Sequence, residues 1–236
     1  AADLTAAFDG SITKVYDNTQ NLQSGDSAAS HITSVSVNGV KNAAGTGAET
    51  LAVQGATAAY EDKNRGGTDD GHTVNYTIQL AADTSGNYDY SGLLNNGSYT
   101  YAASTTGKIT QRTVTAAIKQ AKLTKKYDAE TYYSEDDGVT ELKGDKLITL
   151  TNLADDGTTN VSTAAYDSAD ASATTGDKTV TYTVALNTAD QTNYRVVDAG
   201  NTSTILTDAG TVKNTLLGQG TINKRDLTLT FDALTK

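Results

Sequence analysis

The sequence predicts an all-β protein, and three observations carry that expectation. Apolar residues alternate with polar ones at period two in several short stretches. Turn dipeptides separate those stretches, and the whole pattern occurs twice along the chain. Period two is the spacing at which a strand sends side chains alternately to a buried and a solvent face.

The clearest strands are Val74, Tyr76, Ile78 and Leu80 alternating with Thr73, Asn75, Thr77 and Gln79, and Val180, Tyr182, Val184 and Leu186 alternating with Thr179, Thr181, Thr183 and Ala185. Leu227, Leu229 and Phe231 alternate with Thr228 and Thr230 in the same way, and His31 to Val37 and Leu147 to Thr151 read as strands at matching places. Val114 to Tyr127 is ambiguous by itself, because Val114, Ala117, Ile118, Ala121 and Leu123 also fit one face of a helix. The repeat arbitrates: its counterpart, Leu227 to Lys236, alternates, so Val114 to Ile118 is expected as strand, with a short turn or helix at Lys119 to Lys122. Gly25-Asp26, Asp70-Gly71, Asn96-Gly97, Asp137-Gly138, Gly144-Asp145 and Asp156-Gly157 supply the turns, since Gly, Asn and Asp tolerate positive φ.

The repeat is read from five pairs. Lys14-Val15-Tyr16-Asp17 returns as Lys125-Lys126-Tyr127-Asp128, with the tyrosines 111 residues apart. Ala59-Tyr60-Glu61 returns as Ala165-Tyr166-Asp167. The strands holding Tyr76 and Tyr182, and the pairs Asn87-Tyr88 and Asn193-Tyr194, share an offset of 106. Gly107 to Arg112 returns as Gly220 to Arg225. Shifting offsets place insertions in the loops. A first β repeat is therefore expected over residues 1–112, a second over 113–225, and the start of a truncated third repeat or a terminal strand over 226–236. Two tandem Ig-like β-sandwich modules in an elongated rod follow, with β-grasp-like rolls as the alternative topology. The junction from Ile109 to Thr115 lacks Gly and Pro, which predicts a stiff join.

The motif order resembles the YDG and MBG-type tandem repeats of large bacterial cell-surface adhesins, including mucus-binding proteins of lactobacilli: Tyr-Asp after Lys, a Gly-Asp, a Val-x-Tyr strand, an Asn-Tyr and a closing Ile-x-x-Arg. The resemblance spans the chain twice and implies an extracellular β module without supplying catalytic residues. It departs after Tyr-Asp, where a Gly is replaced by Asn18 and Ala129. Asn tolerates the left-handed region and Ala does so poorly, so the second turn is expected to differ from the first.

Pro, Cys, Met and Trp are absent, and there are two Phe against 13 Tyr. Without Cys there are no disulfides, thiolate metal sites or thiol nucleophiles. The net charge of −10 argues against nucleic acid and against anionic membrane surfaces. No apolar stretch reaches membrane-spanning length, so no membrane insertion is expected. An extracellular, cell-wall-associated location on a Gram-positive surface fits this composition. The chain is expected to be a monomer within a longer tandem array.

No enzyme is expected. His31 and His72 lie in no ligand-spaced motif, and no Gly-x-Ser-x-Gly elbow or phosphate loop occurs. Asp69-Asp70, Asp136-Asp137 and Asp155-Asp156, each before Gly, are read as turns, with structural calcium as the alternative; no other cofactor is expected. Lys14 or Lys125 with Asn75 or Asn193 is a conceivable isopeptide crosslink. Tyr76, Tyr88, Tyr182 and Tyr194 recur and are expected in the core, with hydroxyls reaching polar groups. Tyr90, Tyr99, Tyr101, Tyr132 and Tyr133 do not recur and sit among small polar residues, a composition used by binding surfaces; they are the candidate ligand-binding residues. The expected function is multivalent, non-covalent attachment to host mucin, glycan or epithelial surface, against a passive stalk that projects a distal binding domain.

Overall fold

Strands form where β-branched and aromatic residues alternate with Thr, Ser and Asn, and turns fall where Gly takes positive φ, as at Gly25 and Gly210; Asp70-Gly71, expected as a turn, instead opens a strand, with the positive φ of Gly71 at a shift in its register. The computed structural model describes residues 4–10, 12–37, 49–82, 94–95, 98–134, 140–189 and 191–230. The chain divides into two compact units, Ala1–Arg112 and Thr113–Lys236.

The strands up to the division are β1 (Leu4–Phe8), β2 (Ile12–Val15), β3 (Ile32–Val37), β4 (Glu49–Leu51), β5 (Val53–Tyr60), β6 (Asp70–Leu80), β7 (Leu94–Asn95) and β8 (Ser98–Thr110). One sheet runs β1-β3-β4 and the other β2-β8-β6-β5, with β7 paired to β8. From the division on come β9 (Arg112–Ile118), β10 (Lys122–Lys126), β11 (Ile148–Thr151), β12 (Thr159–Asn160), β13 (Thr163–Tyr166), β14 (Lys178–Thr183), β15 (Leu186–Asn187), β16 (Tyr194–Asp198), β17 (Ile205–Asp208), β18 (Thr211–Val212) and β19 (Leu216–Asn223). Here the sheets run β11-β9-β16-β17-β18 and β10-β19-β14-β13, with β12 and β15 forming a small pair.

The shared wiring is specific. The first strand of each unit pairs antiparallel with the third, β1 with β3 and β9 with β11. The second strand crosses to the other sheet and lies parallel to the last, β2 along β8 and β10 along β19. An antiparallel hairpin, β5–β6 or β13–β14, completes that sheet.

Alternation sets the core. On β6, Val74, Tyr76, Ile78 and Leu80 are buried while Asn75, Thr77 and Gln79 face solvent. The sheets of the first unit meet where the Phe8 ring rests 4.8 Å from that of Tyr76. In the second unit Val180, Tyr182, Val184 and Leu186 are likewise buried, but β14 ends at Thr183 rather than running to Leu186. The reason is local: the Val184 carbonyl accepts the Thr207 hydroxyl at 2.7 Å, and the Ala185 N–H donates to the Ser162 hydroxyl at 3.1 Å.

One glycine recurs for a packing reason. A Cβ on Gly107 would lie 2.7 Å from Cε1 of Tyr60, and one on Gly220 would lie 2.3 Å from Cε1 of Tyr166. Both tyrosine rings lie across the last strand of their sheet, and only a residue without a side chain leaves them room.

One expectation changes and one open choice is resolved. Residues 224–230 form no strand, and Leu227 and Leu229 are 84% and 70% exposed. Alternation alone cannot hold a strand that has no hydrogen-bonding neighbour; Phe231 lies outside the described residues. Val114 to Ile118 is strand, within β9, but Lys119 to Ala121 is a bend with no helical turn and Lys122 already opens β10.

Candidate functional site

The residues that recur most clearly build a buried ammonium site in each unit. β2 and β10 carry alternating inward positions, Ile12 and Lys14 in one and Leu123 and Lys125 in the other. Period two therefore turns each lysine into the core. Lys14 Nζ lies 2.6 Å from Asp17 Oδ1 and donates to the carbonyls of Thr19 at 2.7 Å and Asn21 at 2.9 Å. Lys125 Nζ lies 2.6 Å from Asp128 Oδ1 and donates to the carbonyls of Glu130 at 2.7 Å and Tyr132 at 2.9 Å. The acceptors stand at matching positions, so the two loops are one structure made from different side chains. Each ammonium also faces the ring of the recurring tyrosine, Lys14 at 5.5 Å from Tyr60 and Lys125 at 5.4 Å from Tyr166.

Burial pushes the Asp128 carboxyl up. Hydrogen bonds from Lys125, the Glu130 N–H and the Ser134 hydroxyl outweigh it and hold the group below the usual carboxylate range. Asp17 behaves alike: burial raises it, and Lys14 and Thr19 lower it further than burial raises it. Asn75 is exposed on β6, and both ammoniums are already bound to oxygens. The geometry is that of ion pairs closing loops, not of an amine poised on an asparagine amide.

The loop overrides local preference at one residue. Asn18 takes φ 65° and Ala129 φ 68°. The second turn was expected to differ because Ala is a poor left-handed residue, yet it is the same turn. The ion pair before Ala129 and the bound carbonyls of Glu130 and Tyr132 after it dictate its backbone, at a cost of about 1 kcal/mol.

Of the tyrosines singled out for ligand contact, the four among the described residues have structural partners. Tyr99 and Tyr101 lie on the half-buried face of β8, in the row that leads to Gly107 and Ile109. The Tyr101 hydroxyl donates to the Leu4 carbonyl at 2.9 Å. Tyr132 is half-buried and covers Lys125 with its ring at 5.6 Å. Tyr133 is half-buried, and its N–H donates to the Ala164 carbonyl at 3.1 Å. Tyr90 and Tyr88 lie outside the described residues. Tyr76, Tyr182 and Tyr194 are buried as expected. Tyr194 bonds Asp156 and Tyr182 donates to the Gln120 carbonyl at 2.6 Å, but the Tyr76 hydroxyl meets no hydrogen-bond partner among the described residues.

Asp155 and Asp156 lie in a bend, whereas Asp69 lies in a bend and Asp70, against expectation, opens β6. Asp69 pairs with Arg65, and Asp156 accepts from the Tyr194 hydroxyl and, at 3.0 Å, from the Thr158 N–H. Asp136 and Asp137 lie outside the described residues. Among the described residues no three His, Asp or Glu side chains gather as a metal-binding group. His72 rests its ring on the Thr68 carbonyl at 3.1 Å. His31 is different, since its two ring nitrogens face two separate carboxylates, Asp9 at 3.1 Å and Asp26 at 2.8 Å.

Sequence reasoning missed the buried lysines and the His31 bridge. A signal existed for the first, because Lys14 falls in phase with Ile12 and Lys125 with Leu123. None existed for the second, whose carboxylates are 22 and 5 residues away. No described helix is long and apolar enough to cross a membrane. No family model matches the chain, and neither a curated protein nor a solved structure matches it.

Proposed function

We propose that the chain is the repeat region of an extracellular bacterial surface adhesin, attaching to host mucin, glycan or epithelial surface through many weak copies. The observation that carries the reading is that one loop, a buried ammonium closed by Asp and two carbonyls, is built twice from Lys14 and Lys125. A module copied for its frame fits a part whose action scales with copy number. The motif order that resembles YDG and MBG-type repeats supports the same reading. In it, each unit is a two-sheet module of sandwich type, monomeric within a longer cell-wall-associated array. In the second unit the strand order departs from that of an immunoglobulin sheet, whose first strand is at the edge, since β9 lies between β11 and β16.

A second reading, the passive stalk, is favoured by the fate of the tyrosines. What the units share is interior, and Tyr101 and Tyr132 are engaged in holding the frame. Binding of the purified chain to immobilised mucin, at neutral and mildly acid pH with an unrelated acidic β protein as control, separates the two. The adhesive reading expects saturable binding above the control, stronger in acid because a chain of net charge −10 repels an acidic ligand less as carboxylates protonate. Absence of binding to mucin and to host epithelial glycans at both pH values leaves the stalk.

A further inference from the structure

We propose that His31 is a protonation-dependent clasp that fastens strand β1 to the body of the first unit. Three pieces of chain meet at its ring. Asp9, the residue after β1, places Oδ1 3.1 Å from Nδ1 and donates its own N–H to the His31 carbonyl at 3.0 Å. Asp26, in the turn that Gly25 makes with φ +87°, places its two oxygens 2.8 and 3.0 Å from Nε2. His31 itself closes the short 3₁₀ turn Ala28–His31, which leads directly into β3.

The chemistry of the ring makes this a switch. Carboxylates only accept hydrogen bonds, and a neutral imidazole has one N–H and one lone pair. With the ring neutral, one of the two carboxylates faces a lone pair and is repelled. With the ring protonated, both nitrogens donate and both carboxylates are held. The strands against this corner bring no competing charge. β1 and β3 contain no titratable residue, and β5 contributes only Tyr60. Burial pushes Tyr60 up to about 12, so it stays neutral, as does Tyr76 of β6 for the same reason. The His31 side chain is 22% exposed, so protons reach it. Burial lowers its proton affinity, but Asp26 and Asp9 outweigh that and hold it above the usual histidine range. A raised folded-state value means the clasp is complete below the ordinary histidine range, about pH 6.5, and is lost as pH climbs through the raised value.

The second unit holds the same strand without a histidine. There the Lys119 N–H donates to the Leu147 carbonyl at 2.9 Å, the counterpart of the Asp9 to His31 backbone bond. Lys119 Nζ reaches the Asp145 carbonyl at 2.6 Å, and a buried leucine, Leu147, stands where His31 stands. The first strand is thus held by backbone bonds in both units, and in the first unit alone a histidine clasp is added to them in acid. The clasp belongs to the frame and acts whether the repeats bind or space.

The test is amide hydrogen exchange on the full chain, expressed as protection factors so that the intrinsic pH dependence of exchange is removed. Between about pH 5.5 and about pH 8, protection of the β1 amides Thr5 to Phe8 is expected to fall about fivefold, the scale of one partly exposed ion pair. The β9 amides should not change. His31→Gln should show the low protection at both pH values and lose the pH dependence. Asp9→Asn, at a position half exposed, makes the same test with a milder change. Equal β1 protection at both pH values, a fall that persists in His31→Gln, or a parallel fall in β9 each overturns the clasp. So does an NMR titration placing His31 at or below the ordinary histidine range.

Discussion

Lys14 and Lys125 occupy the same place in two loops of the same shape, but only the second is sealed. The Asp17 side chain is 28% exposed and that of Asp128 3%. Asn21, at the seventh position after the lysine, offers a carbonyl and leaves the ammonium covered by one ring. Tyr132, at the same position in the second unit, offers the carbonyl and adds a second ring. Ser134 then binds the other carboxylate oxygen of Asp128 at 2.8 Å. The lesson is that the recurring Lys, Tyr and Asp define a backbone shape, while variable neighbours set how dry the ion pair is. A buried pair contributes little net stability over an apolar replacement, but removing one partner leaves an uncompensated charge.

That difference predicts the largest effect. Lys125→Ala leaves Asp128 buried and unpaired, and should destabilise the second unit by about 3–5 kcal/mol. Lys14→Ala should cost the first unit less, because water reaches Asp17. Urea denaturation of each variant reads both, and equal losses would break the comparison. Next come the glycines under the tyrosine rings. Gly220→Ala and Gly107→Ala should each cost about 1–3 kcal/mol through overpacking. Gly220→Ala is expected to be the worse, since its Cβ would fall nearer the ring. Thermal melts of the two variants check the order.

The left-handed turns sharpen the comparison from the other side. Ala129→Gly should stabilise the second unit by about 1 kcal/mol, whereas Asn18→Gly should change the first little. The tyrosine hydroxyls give a smaller, crossed pattern. Tyr60 donates to the Ile12 and Lys108 carbonyls, both at 3.0 Å, while the Tyr166 hydroxyl meets no partner among the described residues. Tyr60→Phe should cost about 1 kcal/mol and Tyr166→Phe should be neutral or stabilising. For the next pair the units exchange roles: Tyr182→Phe should cost and Tyr76→Phe should not.

Acid tests both units together. Asp17 and Asp128 have folded-state values below their unfolded ones, so their stabilisation is present above the unfolded value of about 3.9. It disappears as pH falls through the folded values. Melting temperature should therefore drop in both units below about pH 4. Asp128→Asn should flatten that limb for the second unit alone.

Much of the fold was legible in local pattern. The alternation at Val74–Leu80 and Val180–Leu186 located buried faces, and the pairing of Lys14-x-Tyr16-Asp17 with Lys125-x-Tyr127-Asp128 located the copied module. The candidate site was less legible. Tyr101 and Tyr132 read as loop tyrosines because their neighbours are small and polar. Which of them holds a carbonyl or covers an ammonium depends on strands that are distant in sequence, β1 for Tyr101 and β13 for Tyr132. Ala129 failed as a forecast because intrinsic backbone preference, about 1 kcal/mol, is smaller than the demand of a buried ammonium for its acceptors.

By itself the sequence determined where strands and turns fall and that the pattern occurs twice, because period two and the backbone freedom of glycine act over a few residues. The tertiary structure decided what the recurring charges do. Whether Lys14 and Lys125 are surface residues or the pins of a loop, and whether His31 is a solvated ring or a bridge between Asp9 and Asp26, depends on which oxygens the fold brings within 3.1 Å. Apart from Asp9, 22 residues from His31, those oxygens lie within seven residues of the charge they bind, and what the closed sheets decide is that each lysine is buried beside them.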